Sequence, residues 1–154
     1  MKGNFQKLVI YTDGGARGNP GPAAIGVVIF ASGGQDEEKK TTKKYSEFLG
    51  RRTNNEAEYE AVIFALKKAK QLFGKDSTKK MNIELYTDSE LITKQLNGEY
   101  KIEDEKLCPL FLKIWNLKID FGSIAFAFIP RAKNKEADRL VNQALDAKKQ
   151  TKIF

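Results

Sequence analysis

A chain of 154 residues, 41% apolar, with one cysteine and no histidine, is long enough to bury a core without staples. It lacks the residues for an internal disulfide or for a metal centre built on nitrogen and sulfur. The formal charge of +7 favours a polyanionic partner. The lysines are dispersed over "KKTTKK", "LKKAK" and "KNKEADR", which predicts a basic face on a folded domain rather than a charged tail.

In chain order, "MKGNFQK" has no apolar core of a secretory leader, and the longest apolar run, Ile25 to Ala31, is too short to cross a bilayer. A soluble, cytoplasmic protein with no membrane partner is expected. Lys7 to Thr12 reads as a strand, and the Gly and Pro density of "ARGNPGP" (Ala16 to Pro22) marks a tight loop. Ala23 to Ala31 is a second strand, "SGGQDEEKK" a charged turn, and Thr42 to Leu49 a third strand, together an antiparallel meander. The rhythm then changes. Thr53 to Phe73 has helical periodicity, Met81 to Thr87 is a strand, and Asp88 to Leu96 is a helix closed by Asn97-Gly98. A further helix runs from Glu103 to Leu117 with Pro109 near its first turns, and within it Trp115, spaced with Phe111 and Leu112, is expected in the core. Ser123 to Ile129 is the last strand. Asn134 to Lys148 is a closing helix that puts Ala137, Leu140, Val141, Ala144 and Leu145 on one face. Strand–helix–strand connections require parallel neighbours, so residues 1–154 are predicted to form a single α/β domain. Its mixed five-stranded sheet has three antiparallel strands, then two parallel ones, with helices on both faces.

The same ending, Tyr-Thr-Asp, closes the first strand at "VIYTDGG" and the fourth at "ELYTDSE". Ligand sites in open α/β sheets lie beyond the carboxyl ends of parallel strands, so adjacent strands would deliver Asp13 and Asp88 side by side and on one side of the sheet. Asp88 could equally cap the helix that follows it. Glu58 is more telling. At about 100° per residue it falls within the apolar face formed by Val62, Ala65, Leu66, Ala69 and Phe73, while Glu56 and Glu60 point away and Glu56 completes a capping box with Thr53. An unpaired carboxylate there would cost several kcal/mol. Asp138 lies in the first turn of the closing helix, where an acidic residue also suits the helix dipole. Carboxylates with no histidine or cysteine beside them select Mg²⁺ or Mn²⁺. A pair of such ions about 4 Å apart is suited to in-line displacement at phosphorus, one activating water and the other stabilising the leaving oxygen.

The stretches "YTDGGARGNPGPAAIGVV", "TNNEAEYEAVIFAL", "YTDSELITKQLNGEYK" and "IPRAKNKEADRLVNQAL" resemble, in order and spacing, the motifs of the type 1 ribonuclease H family. The resemblance runs from about Lys7 to Leu145 and implies a ribonuclease H-like fold with its first and fourth strands adjacent. It implies Asp13, Glu58, Asp88 and Asp138 as catalytic residues and ligands of two Mg²⁺ ions, with Mn²⁺ as a substitute. These would cut the RNA strand of an RNA/DNA hybrid to leave 5′-phosphate and 3′-hydroxyl ends. It further implies that the Gly-rich loop, with Gly14, Gly15 and Asn19, and the pair Asn54 and Asn55 read 2′-hydroxyls in the minor groove. Thr53 would grip a DNA-strand phosphate at a helix N-terminus.

Several positions depart from the family pattern. The loop "PRAKNKEAD" has no histidine before its aspartate, and Arg131 or Lys133 is expected to assist there by charge. Glu90 stands where many members have Gln. The segment "NGEYKIEDEKLCPLFLKIWNLK" is shorter and more acidic than the basic handle of some relatives, which predicts weaker, more salt-sensitive hybrid binding and a monomer. No small-molecule cofactor is expected. A catalytically inactive module that binds hybrid or duplex RNA is the alternative, and a nuclease of the same broad fold acting on DNA is a second; the asparagine set favours a 2′-hydroxyl reader. Cellular duties open to the chain are primer removal in DNA replication, clearing of R-loops and excision at embedded ribonucleotides.

Overall fold

The computed structural model describes residues 7–33 and 36–153. The leader reading at residues 1–6 and the tip of the charged turn at residues 34–35 lie outside them. Strands β1 (Lys7–Ala16), β2 (Gly21–Gly33), β3 (Asp36–Arg52), β4 (Asn82–Thr87) and β5 (Ser123–Phe128) form one sheet in the order β3-β2-β1-β4-β5. The first three pair antiparallel, and β4 lies parallel to both β1 and β5. This is the mixed sheet expected from the chain order.

Helix α1 (Asn54–Phe73) packs on β1 and β2, and behind it follow a short α2 (Lys75–Thr78), then α3 (Glu90–Leu96) and α4 (Cys108–Lys118). The main core fills this side, with Leu8, Ile10, Ile25, Val27, Ile83 and Leu85 from the strands facing Tyr59, Val62 and Leu66 of α1. Alternation along β2 turns Ala24 to the opposite face, where it meets Val141 and Leu145 of α5 (Lys135–Ile153) in a smaller cluster. Within the core, the Tyr59 hydroxyl donates to Gln95 Oε1 at 2.7 Å, and Gln95 Nε2 reaches the Lys101 carbonyl. That buried link fixes α3 to α1, and burial raises the Tyr59 phenol far above its ordinary pKa.

Several boundaries and one burial differ from the sequence reading. Strand β1 runs past Thr12 to Ala16, β2 spans Gly21 to Gly33 and β3 continues past Leu49 to Arg52, because the antiparallel pairing carries on through residues that read as a tight loop. The third strand begins at Asp36, because β3 goes on pairing with β2 as far as Gly33 opposite Asp36; an edge strand tolerates the charged run that reads as a turn. Helix α4 begins at Cys108 and not at Glu103. Pro109 suits a first turn, and Asp104 folds the preceding residues into a turn by accepting the Lys106 N–H at 2.9 Å. Helix α3 begins after Ser89, and α5 runs on to Ile153. Trp115 is not in the core. It is 52% exposed, as Leu112 is at 56%, because α4 buries the face carrying Ile114. Phe111 stacks on the Trp115 ring, and the Lys118 ammonium sits over it. Among the described residues no helix is long and apolar enough to cross a membrane.

Candidate active site

The parallel register of β1 and β4 pairs Tyr11 with Tyr86 and Thr12 with Thr87. The two tyrosine rings stack at 5.3 Å between centroids, so the residues after the last β1–β4 pair, Asp13 and Asp88, stand side by side where β4 ends. Ser89 takes the capping position that sequence alone left open to Asp88. Its Oγ accepts the Ile92 N–H at 3.2 Å, its N–H donates to Thr87 Oγ1, and the Asp88 carboxylate is left free of capping.

Glu58 arrives from the first turns of α1. That helix starts as a capping box: Thr53 Oγ1 accepts the Glu56 N–H at 3.1 Å, and the Glu56 carboxylate accepts the Thr53 N–H at 2.9 Å. The α1 backbone lies against Gly14, where a Cβ would stand 2.6 Å from Glu58 N and closer still to the Ala57 carbonyl. On the opposite face a Cβ on Gly26, the β2 partner of Asp13, would collide with the Ala137 carbonyl of α5. Two glycines at neighbouring sheet positions thus let two helices press on the sheet from opposite faces, one carrying Glu58 and the other Asp138.

Carboxylate oxygens of Asp13, Glu58 and Asp88 lie within 4.8 Å of one another. Asp138 lines the same cavity, its charge bears on Asp13, and its Oδ1 is 3.5 Å from Arg131 Nη2. Asp13 is buried. Burial first, and then the charges of Asp88, Glu58 and Asp138, push its carboxyl well above the usual range. Burial likewise lifts Glu58 to about 7, the Asp88 charge adding to the rise and a hydrogen bond with Ser89 opposing it. Asp88 is raised mainly by burial, against the pull of Asn134 and Arg131. Carboxylates crowded until their charged forms are disfavoured are a cluster that a cation relieves. The donors are oxygen only, which fits a hard divalent ion.

The cluster opens into a cavity of about 500 Å³ that is also walled by Gly14, Gly15, Asn54 and Arg131. Asn19 and Thr53 stand beside it: Asn19 Oδ1 accepts the Asn54 N–H, and Asn54 Oδ1 accepts the Ala16 N–H, both at 2.9 Å. Asn55 follows, half-buried, in the first turn of α1. Lys133 is elsewhere, in a separate pocket of about 200 Å³ with Tyr11, Phe30 and Glu136, so Arg131 alone of the two loop cations faces the carboxylates.

Sequence reasoning passed over Ser89, Asn134, Gly26 and Arg17. Arg17 borders the same cavity and ties the β1–β2 loop to α5 by a 2.7 Å ion pair with Asp146 and a 3.1 Å bond to Asn142. A serine immediately after the Asp of the second Tyr-Thr-Asp was the one available signal for a cap that frees the aspartate.

A family model described as "Reverse transcriptase-like" matches residues 11–144. Ribonuclease HI of Halobacterium salinarum is 42% identical over 137 residues, which cover 88% of this chain and 63% of that protein. A bifunctional protein of Mycobacterium tuberculosis is 36% identical over 145 residues, 94% of this chain. The chain spans only 37% of the length of that protein and of the two other mycobacterial relatives it matches. Among solved structures, LC11-RNase H1 in complex with RNA/DNA hybrid superposes with a TM-score of 0.80 at 46% identity, over 91% of this chain and 97% of that one.

Proposed function

The chain belongs to the type 1 ribonuclease H family, and from that membership we propose that it is an endonuclease hydrolysing the RNA strand of RNA/DNA hybrids, leaving 5′-phosphate and 3′-hydroxyl ends. The observation that carries the proposal is the convergence of Asp13, Glu58 and Asp88 oxygens within 4.8 Å at the mouth of a cavity edged by a Gly-rich loop and a helix N-terminus.

Asp13, Glu58, Asp88 and Asp138 would hold two Mg²⁺ ions, with Mn²⁺ as a substitute. When bound, such ions activate the attacking water and stabilise charge at the phosphate. The protein supplies position. Gly15, where an added Cβ would meet only Val141 Cγ1 at 3.7 Å, leaves room for a sugar–phosphate backbone beside Asp13, while Gly14 serves the site by letting α1 bring Glu58 up to the sheet. Asn54 spends its Oδ1 on Ala16, so its amide hydrogens are the group offered to a 2′-hydroxyl acceptor, a discrimination DNA cannot satisfy. Asn19 and Asn55 line the same approach. Thr53 Oγ1 accepts from Glu56 and keeps its own hydrogen for a DNA-strand phosphate, at a helix end that already favours anions. Asp138 and Arg131 reach solvent, with side chains 31% and 80% accessible, and would handle protons and product at that side. All four carboxylates come from one chain, which supports a monomer, and an exposed free Cys108 supports a reducing, cytoplasmic setting.

Arg131→Ala is expected to lower kcat roughly tenfold, about 1.4 kcal/mol of transition-state stabilisation, with little change in KM. Steady-state kinetics on a hybrid check this, and a rise in KM at constant kcat would make Arg131 a binding residue instead.

The proposal is tested by incubating an end-labelled RNA strand, annealed to DNA, with the protein and Mg²⁺, beside EDTA, single-stranded RNA and duplex DNA. Metal-dependent cuts confined to the hybrid are expected. Hybrid binding without cleavage in Mg²⁺ or Mn²⁺ would establish the inactive module, and cutting of duplex DNA would establish a DNA nuclease of the same fold.

A further inference from the structure

Asn134 sits between the last 3₁₀ turn and α5 with only 1% of its surface exposed. Its Nδ2 donates to the Thr12 carbonyl at 2.9 Å, across 122 residues of sequence, and the same amide faces Asp88, whose pKa it draws down against the effect of burial. Its backbone carbonyl accepts the Asp138 N–H at 3.1 Å, and its own N–H is held by the Arg131 carbonyl. One residue therefore touches the peptide that leads into Asp13, the side chain of Asp88 and the helical turn that carries Asp138.

The amide oxygen shows which way this residue is committed. Asn134 Oδ1 is the buried side-chain polar atom that finds no partner among the described residues. Turning the amide over would not relieve it, because Oδ1 would then confront the Thr12 carbonyl and the Asp88 carboxylate, both acceptors. One amide hydrogen is spent on the Thr12 carbonyl, and the other is the one available to the Asp88 carboxylate. A neutral side chain of this length with two hydrogens on one atom is what the place requires. Aspartate would add another negative charge, serine offers a single hydrogen, and glutamine or lysine is too long.

We propose that Asn134 is the positioning residue of the acidic centre, holding Asp88 and the Thr12–Asp13 peptide of β1 at the spacing in which the carboxylates receive divalent cations. Ser89 does the corresponding work for Glu58. The inference rests on the metal-holding reading of the centre, and partners of this kind typically set metal affinity by about 10–100-fold.

The test uses the full chain without substrate and Mn²⁺ alone as probe, the free ion being counted by electron paramagnetic resonance. Asn134→Leu keeps the shape and removes both hydrogens; Asn134→Ser keeps one. The Leu variant is expected to bind Mn²⁺ roughly 10–100-fold more weakly and the Ser variant to fall between it and the native protein. On a hybrid, excess Mn²⁺ should restore the kcat of the Leu variant with KM unmoved. Native Mn²⁺ affinity in Asn134→Leu, whatever its thermal stability, would overturn the proposal and leave Asn134 a packing residue. If the Leu variant does not fold, the Ser variant decides on the same readout, native affinity there again overturning the proposal. A native protein that binds Mn²⁺ but leaves hybrids uncut would remove the nuclease reading alone. One that binds no Mn²⁺ would remove both.

Discussion

Asp88→Asn is expected to stop hybrid cleavage, with kcat down by at least about a thousandfold, the scale of losing a group that stabilises transition-state charge, and at the same time to raise the melting temperature of the metal-free protein. The two effects share one cause. Asp88 stands beside Asp13 and near Asp138, and burial already raises its pKa. Without a cation its charge opposes folding, and an asparagine of the same shape removes that opposition. The pH dependence has a definite sign. Glu58 passes from an ordinary 4.5 to about 7 in the folded chain, so as pH rises through that window the unfolded chain releases its proton first, and stability falls. The loss from Glu58 amounts to roughly 3 kcal/mol at pH 8, with Asp13 and Asp88 acting in the same direction. Thermal melts in EDTA from pH 4.5 to 8 should therefore fall with pH, Glu58→Gln should flatten the curve, and Mg²⁺ should lift its alkaline end. A lower metal-free melting temperature for Asp88→Asn would show that the carboxylates are not crowded.

The largest effect on folding is expected from Gly14→Ala and Gly26→Ala. At Gly14 every nearby atom that a Cβ would meet is helix backbone, Ala57 and Glu58, and at Gly26 the obstacle is the Ala137 carbonyl together with Leu140 Cβ at 2.9 Å. Backbone cannot swing aside as a side chain can, so each methyl forces a helix off the sheet. Overpacking of this kind costs about 3 kcal/mol, roughly 6–12 °C in melting temperature for a chain of this size. The two variants should differ from Asp88→Asn in losing stability and activity together, since Gly14→Ala moves Glu58 and Gly26→Ala moves Asp138. Gly15→Ala is the control. Its nearest neighbour would be Val141 Cγ1 at 3.7 Å, ordinary contact, and calorimetry should find it close to the native protein.

The mixed sheet and the carboxylates were legible because both rest on local pattern, while the adjacency of β1 and β4 came from the family resemblance. Strand and helix periods alternate in a way that leaves few topologies, and the two Tyr-Thr-Asp runs mark the place where the β1–β4 pairing stops. Glu58 was legible as a charge on an apolar face. Asn134 and Gly26 were not, since their roles depend on partners 122 residues away at Thr12 and across a helix–sheet contact at Ala137, and a lone Asn or Gly carries no periodic signal. Trp115 misled for the opposite reason. Helix α4 is apolar around much of its circumference, and which stripe is buried is decided by where α1 lies, not by spacing along α4 itself.

The two reciprocal bonds between Asn19, Asn54 and Ala16 join the β1–β2 loop to the start of α1 with no nucleic acid present, while Arg17 anchors the same loop to α5. A reading surface held in this way loses little conformational freedom on association. A duplex bound there would meet a template already tied in place, so that discrimination between ribose and deoxyribose would rest on fit, without an induced-fit closure to reward the correct strand.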